Sequence, residues 1–522
     1  MQWRAYNVLR LTDEGPLCMF RVNNIIGERE NGLYSAEHCR ILDRAAIDQG
    51  VPSFQLMARA ARAVVAVLTR EFGEMPLLQV MCGTGNNGGD GFLIAALAHE
   101  RGWRVSCTLV GDPNKIKGDA RQAFDYAVSV GVKIERSLGP ALGKNTLIID
   151  AILGTGLTGE VREEAAQAIE WINASLGAVV AVDIPSGLCS DTGAILGRAV
   201  EADITVTFIG MKLGLFTNDG PDCAGTVIFN DLELAESVYA AVPPAAYRLD
   251  LDHLMSTIHP RRLNSHKGHY GHVLLVGGDY GLSGAIIMAA EAALASGAGL
   301  VSVATRAEHI SALVARTPEV MAHAVSNRHQ LVSLLDQASV VVVGPGLGRS
   351  PWSEQLLQRC LESEIPMVID ADALNLVADL NWYERLQRNS GNRIITPHPG
   401  EAARLLQCST RDVQKDRLQS VQSLRDQTGC AVVLKGCGSL LATDTGVFLS
   451  DYGNPGMASG GMGDVLSGIL GALVAQSQNI ELSLALGVCL HGRAAELAAE
   501  AGQNGLRATQ LIPLIQELLG GH

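Results

Sequence analysis

The chain has 522 residues, too many for one hydrophobic core at roughly 100–200 residues per domain, so two or three domains are expected. Hydrophobic residues make up 47% and charged residues 18%, which excludes a disordered or fibrous chain. The formal charge of −14 argues against a nucleic-acid-binding surface as the main business, although backbone N–H groups can still hold an anionic ligand without lysine.

Residues 1–30 carry mixed charge and no apolar core of signal-peptide type, and read as an N-terminal extension. Eleven cysteines are scattered singly with no CxxC pair, the pattern of reduced thiols in a cytoplasmic protein. No run approaches the ~18 uninterrupted apolar residues of a membrane span. Neither a membrane nor a nucleic-acid partner is expected; a homo-oligomer is.

From residue 31 to 241, short apolar runs alternate with helical stretches. The runs are Leu77–Cys82, 104–110, 146–150, 178–183 and Ile204–Phe208, with helices predicted over 91–100 and 118–130. Buried strands separated by helices predict a parallel sheet covered on both faces, a Rossmann-like three-layer α/β domain. Pro243 and Pro244 interrupt the pattern, and 242–246 is predicted to be a linker. The alternation then resumes over 247–522 with His272–Val276, 300–304, Val340–Val343, 367–370, 393–396 and Ala431–Leu434, before a helix-rich tail from 463 to 519. The prediction is two α/β domains in series.

The first domain's strongest signal is Cys82-Gly83-Thr84-Gly85-Asn86-Asn87-Gly88-Gly89-Asp90-Gly91, which leaves a strand and opens a helix. Gly83, Gly85 and Gly88 satisfy a dinucleotide-binding spacing, in which glycines let the backbone approach a pyrophosphate at the positive helix end. The acidic residue that pattern also wants has only Asp112 as its nearest candidate, late in position. Two further strand ends carry carboxylates: Asp150 runs into Ala151-Ile152-Leu153-Gly154-Thr155-Gly156-Leu157-Thr158-Gly159-Glu160, and Asp183 into Ile184-Pro185-Ser186-Gly187. Ligands of open α/β sheets bind beyond the carboxyl ends of the strands, so these loops should face one crevice. Asn87, Asp150 and Ser186 offer hard oxygen donors, suited to an alkali or alkaline-earth cation and not to zinc.

In the second domain the most specific element is Gly456-Met457-Ala458-Ser459-Gly460-Gly461-Met462-Gly463-Asp464. Ser459 to Gly463 presents a run of backbone N–H groups at a helix N-terminus, an anion hole for a transferring phosphoryl group. Asp464 beside it is placed to take a proton from an attacking hydroxyl. His398 stands between two prolines in a rigid loop, and Asp370 and Asp372 close a strand, as braces or as a route to magnesium.

Nine motifs in order carry a family resemblance. GNNGGDG, DAILGTGLTGE and VDIPSG resemble the NAD(P)H-hydrate epimerase family. GGDYGLSGA, GPGLG, DADALN, TPHPGE, LKG and GMASGGMGDVLSG resemble the ADP-dependent NAD(P)H-hydrate dehydratase family, which has a ribokinase-like fold. Together they follow the order of the fused bifunctional repair enzymes of hydrated nicotinamide nucleotides. The mild departures are Ala61, where a glycine is frequent, and the extension at 1–30.

The resemblance implies substrate contacts at Asn86, Asn87, Gly88, Gly89 and Asp90, at Gly154 to Glu160, and at Asp183, which is also the catalytic candidate. It implies potassium at Asn87, Asp150 and Ser186. In the second domain it implies substrate at Ala285, Gly346, His398 and Asp464, with Asp464 catalytic. It places the adenine nucleotide at Lys435, Gly436, Cys437, Gly438, Ser439 and Gly463, with ADP as co-substrate and magnesium in the dehydratase domain. The implied activity is epimerisation of the R and S hydrates of NADH or NADPH, followed by ADP-dependent dehydration of the S hydrate. Two rivals use the same loops: an oxidoreductase fused to a ribokinase-like small-molecule kinase, and a non-enzymatic nucleotide sensor.

Overall fold

A computed structural model describes residues 31–73 and 77–520; the extension at 1–30 lies outside the described residues. Two sheets organise them. The first has seven parallel strands in the spatial order Ile134–Glu135, Val105–Leu109, Leu77–Cys82, Thr146–Ala151, Ala178–Val182, Ile204–Phe208 and Thr226–Asn230. Its inner strands are buried on both faces, which is why they read as continuous Val, Ile and Leu runs and not as alternating patterns. The chain reverses its direction of travel through the sheet between Leu77–Cys82 and Thr146–Ala151, and that switch point opens a crevice at the carboxyl ends of both.

The second sheet holds seven parallel strands, from Met321–Ala324 through Leu300–Thr305, His272–Val276, Val340–Val343, Met367–Ile369 and Arg393–Ile395 to Ala431–Leu434. Its switch point lies between His272–Val276 and Val340–Val343. Two antiparallel strands, Ser439–Thr443 and Gly446–Ser450, follow. The chain therefore has the expected α/β class, with a doubly wound parallel sheet in each half.

The join between the two is more intimate than a tether. Residues 242–245 are irregular, but Ala246 already opens the strand Ala246–Arg248, which pairs with Gly446–Ser450. Beyond it lie Gly32–Tyr34 and Met211–Lys212, so two strands of the first half extend the sheet of the second. One apolar cluster likewise runs from Leu33, Ile184, Met211, Leu215 and Phe216 into Leu274, Val343, Val432 and Leu449.

One element departs from expectation in extent. The helix predicted over 91–100 spans Asn86–Glu100, because Gly85 stands at its N-cap and the polar Asn86-Asn87-Gly88-Gly89 segment forms its first turn. Ala61 is fully buried within the helix Ser53–Phe72, which accommodates the methyl group. The helix Ile480–Ala498 belongs to a 480–501 stretch that, by length and mean hydropathy, matches a membrane span, yet most of it is buried against Met462–Ser477 and neighbouring elements. The ten cysteines among the described residues are all unpaired.

Candidate functional site

The switch point of the first sheet carries a cleft of about 750 Å³. It is lined by Asn86, Asn87 and Asp90, by Gly154 to Thr158 and Glu160, and by Asp183. The loops singled out in the sequence therefore meet. Gly88, Gly89 and Gly159 are not among the lining residues. A side chain on Gly88 would strike the Gly83 carbonyl oxygen at 2.0 Å, and one on Gly89 would meet the Met57 side chain at 2.7 Å. These two glycines let the helix lie against its neighbours and bring Asn87 and Asp90 to the cleft.

Asp150, Ser186 and Asn87 form one buried cluster behind the cleft wall. The Ser186 Oγ donates to Asp150 Oδ1 at 2.6 Å and the Ser186 amide to Oδ2 at 2.7 Å, with the Ile152 amide at 3.3 Å from Oδ1. Asn87 Nδ2 donates to the Leu153 carbonyl at 2.9 Å, and the Leu153 amide donates to Ser186 Oγ at 2.8 Å. Burial pushes the Asp150 carboxyl up to about 6, against the lowering effect of its hydrogen bonds. Asn87 Oδ1 is buried with no partner. A lone buried acceptor beside a carboxylate, a hydroxyl and a carbonyl is a donor set for a hard cation of single charge.

Asp183 sits at the end of Ala178–Val182 with φ of 67°, a left-handed conformation that an aspartate adopts at a cost. Its Oδ1 accepts from the Lys212 ammonium, from Thr207 Oγ1 at 3.3 Å and from the Phe208 amide at 3.2 Å. The sequence reading missed Lys212. It also missed Asp43, on the helix Ala36–Asp48, which lines the same cleft and whose carboxyl is pushed by burial to about 6. Asp90 is raised well above the usual carboxylate range by burial first and then by Asp183 and Asp43.

In the second domain, Lys435 binds the strand ends together. Its Nζ lies 2.8 Å from Asp370 Oδ1 and 3.9 Å from Glu401 Oε2, and Ser467 Oγ donates to Asp370 Oδ2 at 2.7 Å. Asp370 is thus a brace, and Lys435 and Ser467 hold its carboxyl below the usual range despite burial. Asp372 accepts from the Gly348 amide at 2.9 Å and fixes the GPGLG loop. A Cβ on Gly463 would sit 3.2 Å from Lys435 Nζ, so the glycine-rich loop abuts this network.

Asp464 lies in the first turn of the helix Met462–Ser477, whose N-cap is Gly461 with no side-chain capping bond. Burial, and then the neighbouring Asp370, push the Asp464 carboxyl up to about 7, with Lys435 opposing. His398, by contrast, caps the helix Pro399–Leu406. Its Nδ1 accepts from the Gly400 and Glu401 amides at 3.0 and 3.3 Å, while its own amide donates to Glu401 Oε2 at 2.8 Å. Ala285 and Gly346 meet, since a Cβ on Gly346 would lie 3.1 Å from that of Ala285. Asp279 ties their loops, accepting from Arg306 Nε and Ser350 Oγ, both at 2.7 Å.

The 435–439 loop also faces the first half. The Thr217 hydroxyl and the Asn218 amide each lie 3.2 Å from the Cys437 carbonyl. Buried Arg417 donates to Thr217 Oγ1 at 3.1 Å and to the Gly438 carbonyl at 3.2 Å. No motif flagged this contact, because it joins segments about 200 residues apart.

Comparison with known proteins agrees with the order of these sites. The chain is 43% identical over 489 residues to the bifunctional NAD(P)H-hydrate repair enzyme of Coxiella burnetii, covering 93% of this chain and 99% of that one. It is 41% identical to the repair enzyme of Escherichia coli, with 93% and 94% covered, and 38% identical to that of Leishmania braziliensis, with 90% of each covered. The chain belongs to this family.

Within this family member, residues 53–214 match the model described as YjeF-related protein N-terminus, and residues 273–517 match that of NAD(P)H-hydrate dehydratase. Among solved structures, the ADP/ATP-dependent NAD(P)H-hydrate dehydratase of Bacillus subtilis, co-crystallised with ATP and magnesium, is 26% identical with a TM-score of 0.47, covering 52% of this chain and 97% of that one. A ribokinase-like superfamily protein of Enterococcus faecalis is 30% identical with a TM-score of 0.49, covering 52% and 95%.

Proposed function

We propose that this repair enzyme divides its work between the two clefts. In the first, the R and S hydrates of NADH or NADPH are interconverted at the hydroxyl-bearing ring carbon, with Asp183 carrying the proton. Asp183 takes the hydroxyl proton as the bond from that carbon to the ring nitrogen opens, leaving an aldehyde and a conjugated nitrogen anion. It returns the proton to the oxygen when the nitrogen closes on either face of the carbonyl. Asn86, Asn87, Asp90, Gly154 to Thr158 and Glu160 line the volume in which the substrate would lie.

Potassium is assigned to Asn87 Oδ1, the Asp150 carboxylate and Ser186. One buried carboxylate among neutral donors suits a monovalent ion, and the orphaned Asn87 Oδ1 supplies a waiting acceptor. When bound, the cation supplies positive charge behind the loop that begins at Ala151, while Asn87 itself remains on the cleft wall.

In the second cleft, Asp464 takes the proton of the S hydrate's hydroxyl as its oxygen attacks the β-phosphoryl group of ADP. AMP leaves, and loss of phosphate with a ring proton restores NADH or NADPH. The backbone N–H groups at the start of the helix Met462–Ser477 and the Lys435 ammonium supply positive charge to the phosphoryl oxygens on which charge develops. Magnesium fits here as a companion of the nucleotide's own phosphates.

The observation that carries this reading is the meeting of Asp464, Lys435 and the glycine-rich loop in one site. It is tested by adding the chain and ADP to hydrated NADPH and following reduced-nicotinamide absorbance. Return of the absorbance with equimolar AMP and phosphate supports the reading. Hydride transfer with unmodified NAD, or no turnover with ADP or ATP, rejects it in favour of an oxidoreductase or a sensor.

A further inference from the structure

We infer that Lys212 is the positioning residue for Asp183, holding that carboxylate aimed into the first cleft. This rests on the epimerase reading above and adds a residue to it. An ammonium has three donors, and here all three are engaged: with Asp183 Oδ1, with Thr207 Oγ1 at 3.1 Å and with the Phe208 carbonyl at 3.0 Å. The pair is asymmetric. The Lys212 side chain is 2% exposed and that of Asp183 is 19% exposed, so the carboxylate meets the cleft while the ammonium stands behind it.

A buried ammonium needs an ionised partner, and several acids compete for it. Cys39 and Asp43 face it from the helix Ala36–Asp48, and Asp90 from the helix Asn86–Glu100. Asp191 stands farther off, beside Cys39. Only Asp183 has the direct contact. Asp43 and Asp90 are both held above the ordinary carboxylate range, mainly by burial. Burial works against the Lys212 charge, but Asp183, Cys39 and Asp43 together outweigh it and the ammonium is held above its ordinary value.

The lysine is also fixed from outside the sheet that carries Asp183. Met211–Lys212 is a two-residue strand paired with Leu33 and Tyr34, at the edge of the sheet that continues into the second domain. Lys212 keeps its protons throughout; Asp183 alone gives and takes one.

The test uses the full chain with Lys212→Met. Removing a cation beside a carboxylate that has acidic neighbours raises its apparent pKa, so the acid limb of the epimerisation profile should move up by about 1–3 pH units. Near neutral pH kcat should fall at least about tenfold with KM less affected, and the rate should recover at alkaline pH. ADP-dependent dehydration of the S hydrate by the same sample should keep its parent rate, which certifies the fold. Thr207→Val, which removes one acceptor without stranding a charge, should move the limb the same way by less. Asp183→Asn and the Asp183→Asn, Lys212→Met double variant should be equally slow. A parent-like profile in Lys212→Met overturns the inference, as does a loss that no pH restores while dehydration persists, or a double variant slower than Asp183→Asn. If the parent chain itself does not epimerise the hydrate, the functional reading falls first.

Discussion

Asp464 carries a burden that its position makes measurable. Its carboxyl ionises at about 7 against an ordinary 3.8, because burial and Asp370 disfavour its charge. As a general base it works only when ionised, so dehydration should rise with pH through that region. Asp464→Asn should lose about 10²–10⁴-fold at neutral pH while nucleotide binding and epimerisation persist. The stability effect has the opposite sign. Between the ordinary and the raised pKa the native state holds a proton that the unfolded chain releases, so the contribution of this group falls as pH rises across that window and is flat above it. Asp464→Asn should therefore gain in melting temperature relative to the parent at pH above the window. A variant that repairs at the parent rate, or that melts early and loses nucleotide, would contradict the role. Asp150 poses the parallel question in the first cleft. Asp150→Ala removes the one charged member of the proposed potassium site, and epimerisation and its response to potassium should weaken together, with the S-hydrate dehydratase unaffected. An unchanged potassium response would reduce Asp150 to a brace for Ser186.

Elements were legible where the chain signals them locally. Leu77–Cys82, Ile204–Phe208, His272–Val276, Val340–Val343 and Ala431–Leu434 are observed at their predicted bounds, because a strand buried on both faces writes itself as an unbroken apolar run. The start of Asn86–Glu100 was not legible, since Asn and Gly disfavour a helix interior and only packing against Gly83, Met57 and Ala120 explains them there. The same geometry makes a prediction. Gly88→Ala places a methyl group 2.0 Å from a backbone oxygen that no rotamer can move, and overpacking of this kind costs about 1–3 kcal/mol or more. Melting temperature and epimerisation should fall together in Gly88→Ala; a stable, fully active variant would show that the helix start shifts freely. The site was legible in its glycine loops and strand-end aspartates. Lys212 and Asp43 were hidden because neither falls in a glycine loop or at a predicted strand end, and their meaning exists only once the fold brings them to Asp183.

At the scale of the whole molecule, two clefts sit on two sheets whose cores are continuous. Gly32–Tyr34 and Met211–Lys212 are strands of the second sheet drawn from the first half, and Arg417 ties Thr217 to the 435–439 loop. A cut at Pro243-Pro244 would strip these edge strands of their partner at Ala246–Arg248, so the division of labour is best tested with point variants of the full chain. The decisive measurement follows reduced-nicotinamide absorbance when ADP and Asp183→Asn chain are added to an equilibrated mixture of R and S NADPH hydrates. The account predicts a fast phase that exhausts the S epimer, then a slow phase limited by uncatalysed epimerisation, and completion at the parent rate once Asp464→Asn chain is added. Full recovery of both epimers at the parent rate by Asp183→Asn alone would contradict it.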